Sequence, residues 1–202
     1  MSKSIGCLLA VGAVVLLVVL FGVGIYNGLV GSQQAVEAQW SQVEGAYQRR
    51  ADLIPNLVET VKGASQFERD TLVQVTQARQ QVNQISAQAT SAILNDPQRF
   101  QQFQQAQDQL GSALGRLIAV AESYPDIKSV AAYRDLMVQL EGTENRINVE
   151  RRRYNEVAQD YNTRIRRFPA ALFAGMFGFQ PKAYFRSAPG SENAPKVDFG
   201  TR

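Results

Sequence analysis

Residues 5–25 read IGCLLAVGAVVLLVVLFGVGI and contain no charged side chain. As an α-helix this stretch is about 31 Å long, which matches the hydrocarbon thickness of a bilayer. We therefore predict a transmembrane helix over residues 5–25, after a short N-terminal tip at residues 1–4. A buried core helix fits less well, because no polar face interrupts the stretch. A cleavable signal peptide is the stronger alternative, since Gly22-Val23-Gly24 supplies small residues of the kind found at cleavage sites.

Charges beside the predicted span indicate its orientation. Lys3 precedes the span, and no lysine or arginine follows it before Arg49. Basic residues in short flanking segments tend to stay in the cytoplasm. We therefore expect a single-pass membrane protein with a cytoplasmic N-terminus and an extracytoplasmic helical domain.

The chain has no histidine, and its one cysteine, Cys7, lies in the apolar stretch. Without histidine, the usual general base near neutral pH and the commonest zinc ligand are both missing. No glycine-rich phosphate loop is present. We therefore expect no enzyme activity, no catalytic residue, no metal and no cofactor. The basic run Arg151 to Arg153 is interleaved with acids, which indicates a solvated helix face rather than a nucleic-acid site.

Four amphipathic helical patterns follow the span over residues 26–167. The first covers residues 33–62, with a kink or restart expected at Pro55. The second begins at a capping box, Ser65 to Glu68, and fades near residue 94. The third begins at Asp96-Pro97, an N-cap residue followed by proline at the first helical position.

The fourth pattern begins near Asp126, after Pro125, and extends to Arg167. Short connections between amphipathic helices favour antiparallel neighbours. We therefore predict an all-α fold, in which the transmembrane helix is followed by an antiparallel, up-down, coiled-coil-like four-helix bundle. The Pro, Gly, Ser and Asn content of residues 186–202 predicts an irregular, flexible tail.

Charged residues occupy positions of the first and fourth patterns where an apolar residue is expected. If Leu29 lies opposite Phe168, the register of the two antiparallel helices brings Arg50 near Glu144 and Glu44 near Arg151. We therefore predict Arg50–Glu144 and Glu44–Arg151 as partly buried ion pairs that fix the register. A catalytic site would need a second carboxylate or a nucleophile near these pairs, and the sequence shows none.

The fourth helix must return to the membrane if the first one leaves it. The apolar segment 168–185 then arrives at the bilayer surface, directly after a cluster of arginines. Such a sequence is typical of an interfacial element, with cations at the headgroups and aromatic side chains dipping inward. We predict interfacial roles for Arg164, Arg166, Arg167, Phe168, Phe173, Phe177 and Phe179. The alternative is that these side chains cover the base of the bundle or a neighbouring subunit.

Several stretches resemble those of the LemA family of bacterial membrane proteins. They are Tyr26 to Val30, Trp40 to Val43, Arg49 to Gly63, Glu122 to Pro125, Thr143 to Ile147, Arg152 to Asn155, Tyr161-Asn162 and Phe177 to Phe179. The resemblance implies an N-terminal membrane helix in the bacterial cytoplasmic membrane and a helical domain. It also implies the short N-terminus outside, opposite to the orientation that the charges favour. It supplies no mechanism.

Taken together, these patterns predict a non-catalytic, LemA-like envelope scaffold that self-associates or binds a membrane protein partner. Small residues in the span allow close approach of a second helix; they are Gly6, Ala10, Ala13, Gly22 and Gly24. The expected partners are the lipid bilayer, further copies of the chain and a membrane protein, but not nucleic acid. The alternative is an accessory protein of an envelope signalling or stress-sensing system.

Overall fold

A computed structural model of the chain describes residues 2–62, 69–88 and 90–186, and within them it contains helices and no strand. The predicted all-α class is confirmed. The predicted capping box at 65–68 and the tail from residue 187 lie outside the described residues. The seven helices are α1 (Ser2–Lys62), α2 (Arg69–Ser86), α3 (Thr90–Leu94), α4 (Pro97–Ala121), α5 (Pro125–Ser129), α6 (Ala131–Arg166) and α7 (Ala170–Met176).

The longest helix, α1, joins the apolar N-terminal stretch to the rest of the molecule without a break. Its 61 residues correspond to a rod of about 90 Å. It is the one helix among the described residues that is long and apolar enough to cross a membrane, and none of its most apolar window is buried inside the chain. The part of α1 that follows the apolar stretch carries the core face, which begins at Leu29 and continues through Val36, Trp40 and Val43.

Pro55 lies inside α1, where a kink or a restart of the helix was expected, and α1 is assigned as one helix that continues to Lys62. A proline at position 55 has no N–H to donate to the carbonyl of Ala51, four residues earlier. In the structure Arg79 of α2 donates its Nε–H to that carbonyl, with an Nε–O distance of 3.2 Å. A side chain from another helix therefore replaces the missing backbone hydrogen bond.

The helices pack as two close pairs, α1 with α6 and α2 with α4. The α1–α6 pair is antiparallel, because Ser32 contacts Arg164 near one end while Arg49 contacts Gln139 near the other. All four helices contribute to the core farther from the apolar stretch, where Val61, Val75, Leu117 and Leu140 meet. The regular four-helix bundle remains a prediction, since the closest packing is pairwise.

The predicted second and fourth helices are each divided in the structure. After α2 ends at Ser86, the short α3 completes the segment. In the predicted fourth helix, Val130 adopts an extended conformation (φ −71°, ψ 120°) and separates α5 from α6. The N-cap at Asp96 is confirmed, because its side chain accepts hydrogen bonds from the N–H groups of Gln98 and Arg99.

Residues 180–186, here called the strap, form neither a helix nor a strand, and side chains of α4 and α6 hydrogen-bond to their backbone. Phe185 is buried in the aromatic core, where its ring lies 4.8 Å from that of Phe100 and stacks on Trp40 at 5.9 Å. The prediction that the whole of 168–185 is an interfacial segment is therefore wrong for its last residues. The Phe185 ring is removed from water by packing against Trp40 and Tyr154 of the same chain, so it is not available to a bilayer surface.

Side-chain amides hold the backbone of the strap. Asn162 bonds both the N–H and the carbonyl of Lys182, and Asn155 bonds both groups of Phe185. Gln104 of α4 bonds both groups of Arg186 in the same way. A segment without helix or strand bonds would leave these backbone groups without protein partners, so the amides do what a neighbouring strand does in a sheet.

Candidate functional site

A polar layer lies between the two parts of the core. Arg50 is only 3% exposed; its Nη1 lies 3.0 Å from Glu144 Oε1, and its Nη2 donates to the side-chain and backbone oxygens of Gln107. The Arg50 guanidinium also lies 5.1 Å from the centre of the Tyr47 ring. The structure thus brings Arg50 and Glu144 together and adds Gln107, so the cluster joins α1, α4 and α6. The Glu144 side chain is 40% exposed, which leaves the pair half-screened by solvent.

The predicted Glu44–Arg151 pair is wrong. Arg151 instead lies 3.8 Å from Asp108 of α4 and 4.6 Å from the centre of the Phe185 ring. The reason is helical rotation, because Glu150, one residue earlier on α6, faces α1 and accepts a hydrogen bond from Gln39 at 2.8 Å. A register predicts which turns face each other, but not which side chain of a turn points across.

The charge on the buried Glu150 is met by its own helix. Its carboxylate lies 3.4 Å from Arg153 and 3.9 Å from Arg146. Both arginine side chains are mainly exposed, whereas the Glu150 side chain is almost completely buried. Two of the basic residues of α6, Arg146 and Arg153, therefore have an acidic partner on the same helix.

Burial controls the ionisation of the core tyrosines. It raises the pKa of Tyr47 and that of Tyr161 to about 12, and it raises the pKa of Tyr154 further. These phenols are therefore neutral near pH 7. Burial also lowers the pKa of Lys182, whose ammonium donates to Asn95 and lies 5.7 Å from the centre of the Tyr161 ring.

At the opposite end of α6, the chain turns back and α7 packs against the apolar part of α1. A Cβ atom added at Gly22 would lie 3.3 Å from Cε1 of Phe173, so the glycine lets Phe173 approach α1 closely. The ring of Tyr26 lies 5.0 Å from that of Phe177 and 5.8 Å from that of Phe179. Three of the four phenylalanines predicted to be interfacial therefore contact α1 of the same chain.

The outer side of this turn exposes apolar side chains. Phe168, Leu172 and Met176 are 81%, 63% and 79% exposed. Phe177 is also more than half exposed, although one edge contacts Tyr26. Large apolar side chains exposed together are typical of surfaces that contact lipid or protein.

The end of α7 is fixed by Gly178, whose φ of +75° is in the region that favours glycine. The following N–H, of Phe179, donates to the carbonyl of Ala174 at 2.9 Å and closes the helix. This turn directs the chain from α7 into the strap.

Three exposed arginines lie at the start of the segment 167–177, here called the α7 turn, or just before it. Arg164 donates to the Ser32 hydroxyl at 3.1 Å, and within the described ranges no carboxylate lies within ion-pairing distance of Arg164, Arg166 or Arg167. Among the described residues their charges therefore have no acidic counterpart. They lie at the same end of the molecule as the exposed apolar side chains.

The strap was not predicted from the sequence, although one signal for it was present. Two Tyr-Asn dipeptides, Tyr154-Asn155 and Tyr161-Asn162, lie seven residues apart on α6. This spacing places both pairs on the same face of the helix, with each tyrosine in the core and each asparagine beside it. The two asparagines of these dipeptides are the ones that bond the backbone of the strap.

Comparison with known proteins gives a consistent result. The profile of the LemA family matches residues 39–199. The chain is 30% identical to magnetosome protein MamQ 2 of Paramagnetospirillum magneticum over 83% of its own length, and 28% identical to MamQ of Magnetospirillum gryphiswaldense. It is 27% identical to protein LemA of Metamycoplasma hominis over 72% of its length. The match spans 66% of the length of either MamQ protein and 62% of the mycoplasma protein. Because the family profile covers most of the residues, the chain belongs to the LemA family.

Proposed function

We propose that the chain is a non-catalytic, membrane-anchored scaffold that self-associates, or binds the membrane helix of a partner, along one face of α1. The observation that carries this proposal is a line of exposed small residues, here called the small-residue stripe. It consists of Gly24, Gly28, Gly31, Ala35 and Ala38. The stripe begins in the apolar stretch and continues beside the helical domain.

The stripe has the geometry of a helix-packing seam. Its spacing alternates between four and three residues, which keeps the five positions within an arc of about 80° on an α-helix. The core face of α1, which includes Leu29 and Val36, is centred roughly 130° away. A Cβ atom added at Gly24, Gly28 or Gly31 would meet no atom of the described residues within 4 Å, so packing among those residues does not require these glycines.

Small residues at such positions let two helix backbones approach closely, and this contact is the main attraction available between helices in lipid. Two copies anchored in one membrane have parallel α1 helices. A two-fold axis along the membrane normal would then pair the stripe with itself. Gly22, which the sequence suggested as part of the contact, is instead covered by Phe173 of the same chain.

The proposal is tested by enlarging the stripe. Gly28→Leu should convert the oligomer to a monomer in native mass spectrometry of the full chain in mild detergent. Gly12→Leu is the matched control, since Gly12 is an exposed glycine of the same helix that lies off the stripe and also has nothing within 4 Å of an added Cβ. A monomeric wild type, or equal effects of the two variants, would refute self-association through the stripe.

We further propose that the α7 turn lies at the bilayer surface. This is supported by the exposure of Phe168, Leu172 and Met176 beside arginines that form no ion pair with an acid among the described residues. Gly22, which faces Phe173, is three residues inside the end of the apolar stretch, or about 4.5 Å along the helix axis. This agrees with the depth of about 5–10 Å at which interfacial helices bury their apolar face. Serine at the three exposed positions should reduce quenching, by brominated lipid, of a fluorophore attached near α7 in the reconstituted chain.

A signalling or stress-sensing accessory remains the second candidate, favoured by the unbroken course of α1 from the apolar stretch into the domain. Crosslinking in cells followed by mass spectrometry separates the two candidates. Contacts between copies support the scaffold, whereas crosslinks confined to a different membrane protein support the accessory role.

A further inference from the structure

We propose that the cleft between α1 and α7 binds one acyl chain of an anionic phospholipid, whose headgroup is held by the arginines at the end of α6. This inference depends on the membrane position of α7 proposed above. It does not depend on self-association, because the cleft is centred roughly 170° around α1 from the small-residue stripe.

The walls of the cleft are suited to a hydrocarbon chain. Its volume is about 480 Å³, which is within the range of roughly 300–1,000 Å³ for small-molecule sites. The only polar atom on its lining side chains is the hydroxyl of Tyr26. The lining residues are Val18, Val19, Gly22, Val23, Tyr26, Phe173 and Phe177.

The cleft runs along α1 in the direction that an acyl chain takes from the headgroup into the hydrocarbon. Tyr26 immediately follows the apolar stretch, and Val18 lies eight residues deeper, or about 12 Å along the helix axis. The cleft therefore leads from the membrane boundary into the hydrocarbon, with α1 as one wall and Phe173 of α7 and the following Phe177 as the other. Lipid chains are the solvent at this depth, so a lipid is the molecule that meets the cleft at the highest concentration.

The charges beside the cleft favour an anionic headgroup. Helix α6 ends at Arg166 and α7 begins at Ala170, so Arg166 and Arg167 are within a few residues of the wall that α7 forms. Both side chains are exposed, and within the described residues neither has a carboxylate partner. Arginine binds phosphate oxygens through two parallel N–H groups, so a phospholipid phosphate complements this end of the molecule.

The test uses the full chain in mild detergent, incubated with equal amounts of phosphatidylglycerol and phosphatidylcholine that carry the same acyl chains. Native mass spectrometry then measures the lipids that the protein retains. We expect preferential retention of one phosphatidylglycerol per chain. Val19→Phe, which fills the cleft, should reduce that retention roughly tenfold, as the loss of about two buried methylene contacts would.

Two comparisons separate the acyl-chain and headgroup contributions. Val14→Phe is the matched control, because Val14 is an exposed valine of α1 that does not line the cleft, and retention should be unchanged. Replacing Arg166 and Arg167 together with glutamine should make the retention of the two lipids equal. Val23→Phe fills the same cleft from a second position and should repeat the Val19→Phe result if either variant alters the fold.

Equal retention of the two lipids by the wild type would overturn the proposal, and so would retention that Val19→Phe and Val14→Phe change to the same extent. Conversion of an oligomer to a monomer by Val19→Phe would show instead that a second copy occupies the cleft. The same spectra report the number of chains. A failure of self-association is therefore distinguishable from a failure of lipid binding.

Discussion

The contact between Arg79 and the carbonyl of Ala51 makes a quantitative prediction about Pro55. Arg79 donates to this carbonyl at 3.2 Å, and Ala51 is only 4% exposed. Arg79→Met keeps the aliphatic part of the side chain and removes the donor. A buried carbonyl left without its partner costs about 1–3 kcal/mol, and Arg79 is only half-buried, so we expect a loss of about 2 kcal/mol in the free energy of unfolding.

The effect should depend on residue 55. In a Pro55→Ala chain, the new N–H of residue 55 donates to the Ala51 carbonyl as in an ordinary helix. Arg79→Met should then cost about 1 kcal/mol or less, because the carbonyl keeps a partner. The coupling energy between positions 55 and 79 is thus expected to be about 1 kcal/mol, which is large enough for a double-mutant cycle to resolve.

The assay is urea unfolding of the full chain in mild detergent, followed by circular dichroism at 222 nm for the wild type, both single variants and the double variant. Gln80→Met, at an exposed neighbouring position of α2, controls for the general effect of a methionine on this helix. Equal costs of Arg79→Met with proline and with alanine at position 55 would show that the Arg79 contact does not compensate for the proline.

Three further predictions concern the core. Glu144→Ala should lower the free energy of unfolding by about 1–2 kcal/mol, because it leaves the buried Arg50 guanidinium without its carboxylate partner. The double change Arg50→Met with Glu144→Leu removes both charges and should cost less. A larger loss in the double variant would contradict this prediction. Asn155→Ala should speed hydrogen exchange at Phe185 and lower the free energy of unfolding by about 1–3 kcal/mol, whereas unchanged exchange would mean that the amide does not hold the strap. The free energy of unfolding should fall as the pH rises from about 10, where tyrosine ionises in the unfolded chain, to about 12, the raised pKa of Tyr47 in the folded chain. Tyr47→Phe should make this fall smaller. An equal fall in that variant would mean that other groups cause it.

Features that depend on local sequence were predictable, and features that depend on rotation or on distant donors were not. The apolar stretch and the N-cap at Asp96 follow from neighbouring residues alone. Aligning Leu29 with Phe168 was enough to place Arg50 near Glu144, which lie 3.0 Å apart. The same alignment failed for Arg151, because one residue along a helix turns a side chain by about 100°.

Local rules failed where another part of the chain supplied a missing partner. Pro55 should interrupt a helix considered alone, but Arg79 occupies the carbonyl that the proline leaves free. The strap lacks the periodicity of a helix or a strand, because its hydrogen bonds go to the amides of Gln104, Asn155 and Asn162. Hydrophobic patterns contain no information about such side-chain-to-backbone contacts.

The strap also limits how far α7 can move from α1. Ala174 of α7 is buried in the same core cluster as Phe185, and the strap is fixed from Lys182 onward by paired amide contacts. The link from Phe177 to Pro181 has five residues and spans at most about 17 Å when fully extended. Large separation of α7 from α1 would therefore extract Phe185 from its contacts with Trp40. Smaller movements would change only the width of the cleft, so the strap keeps the two walls of the proposed lipid site close together.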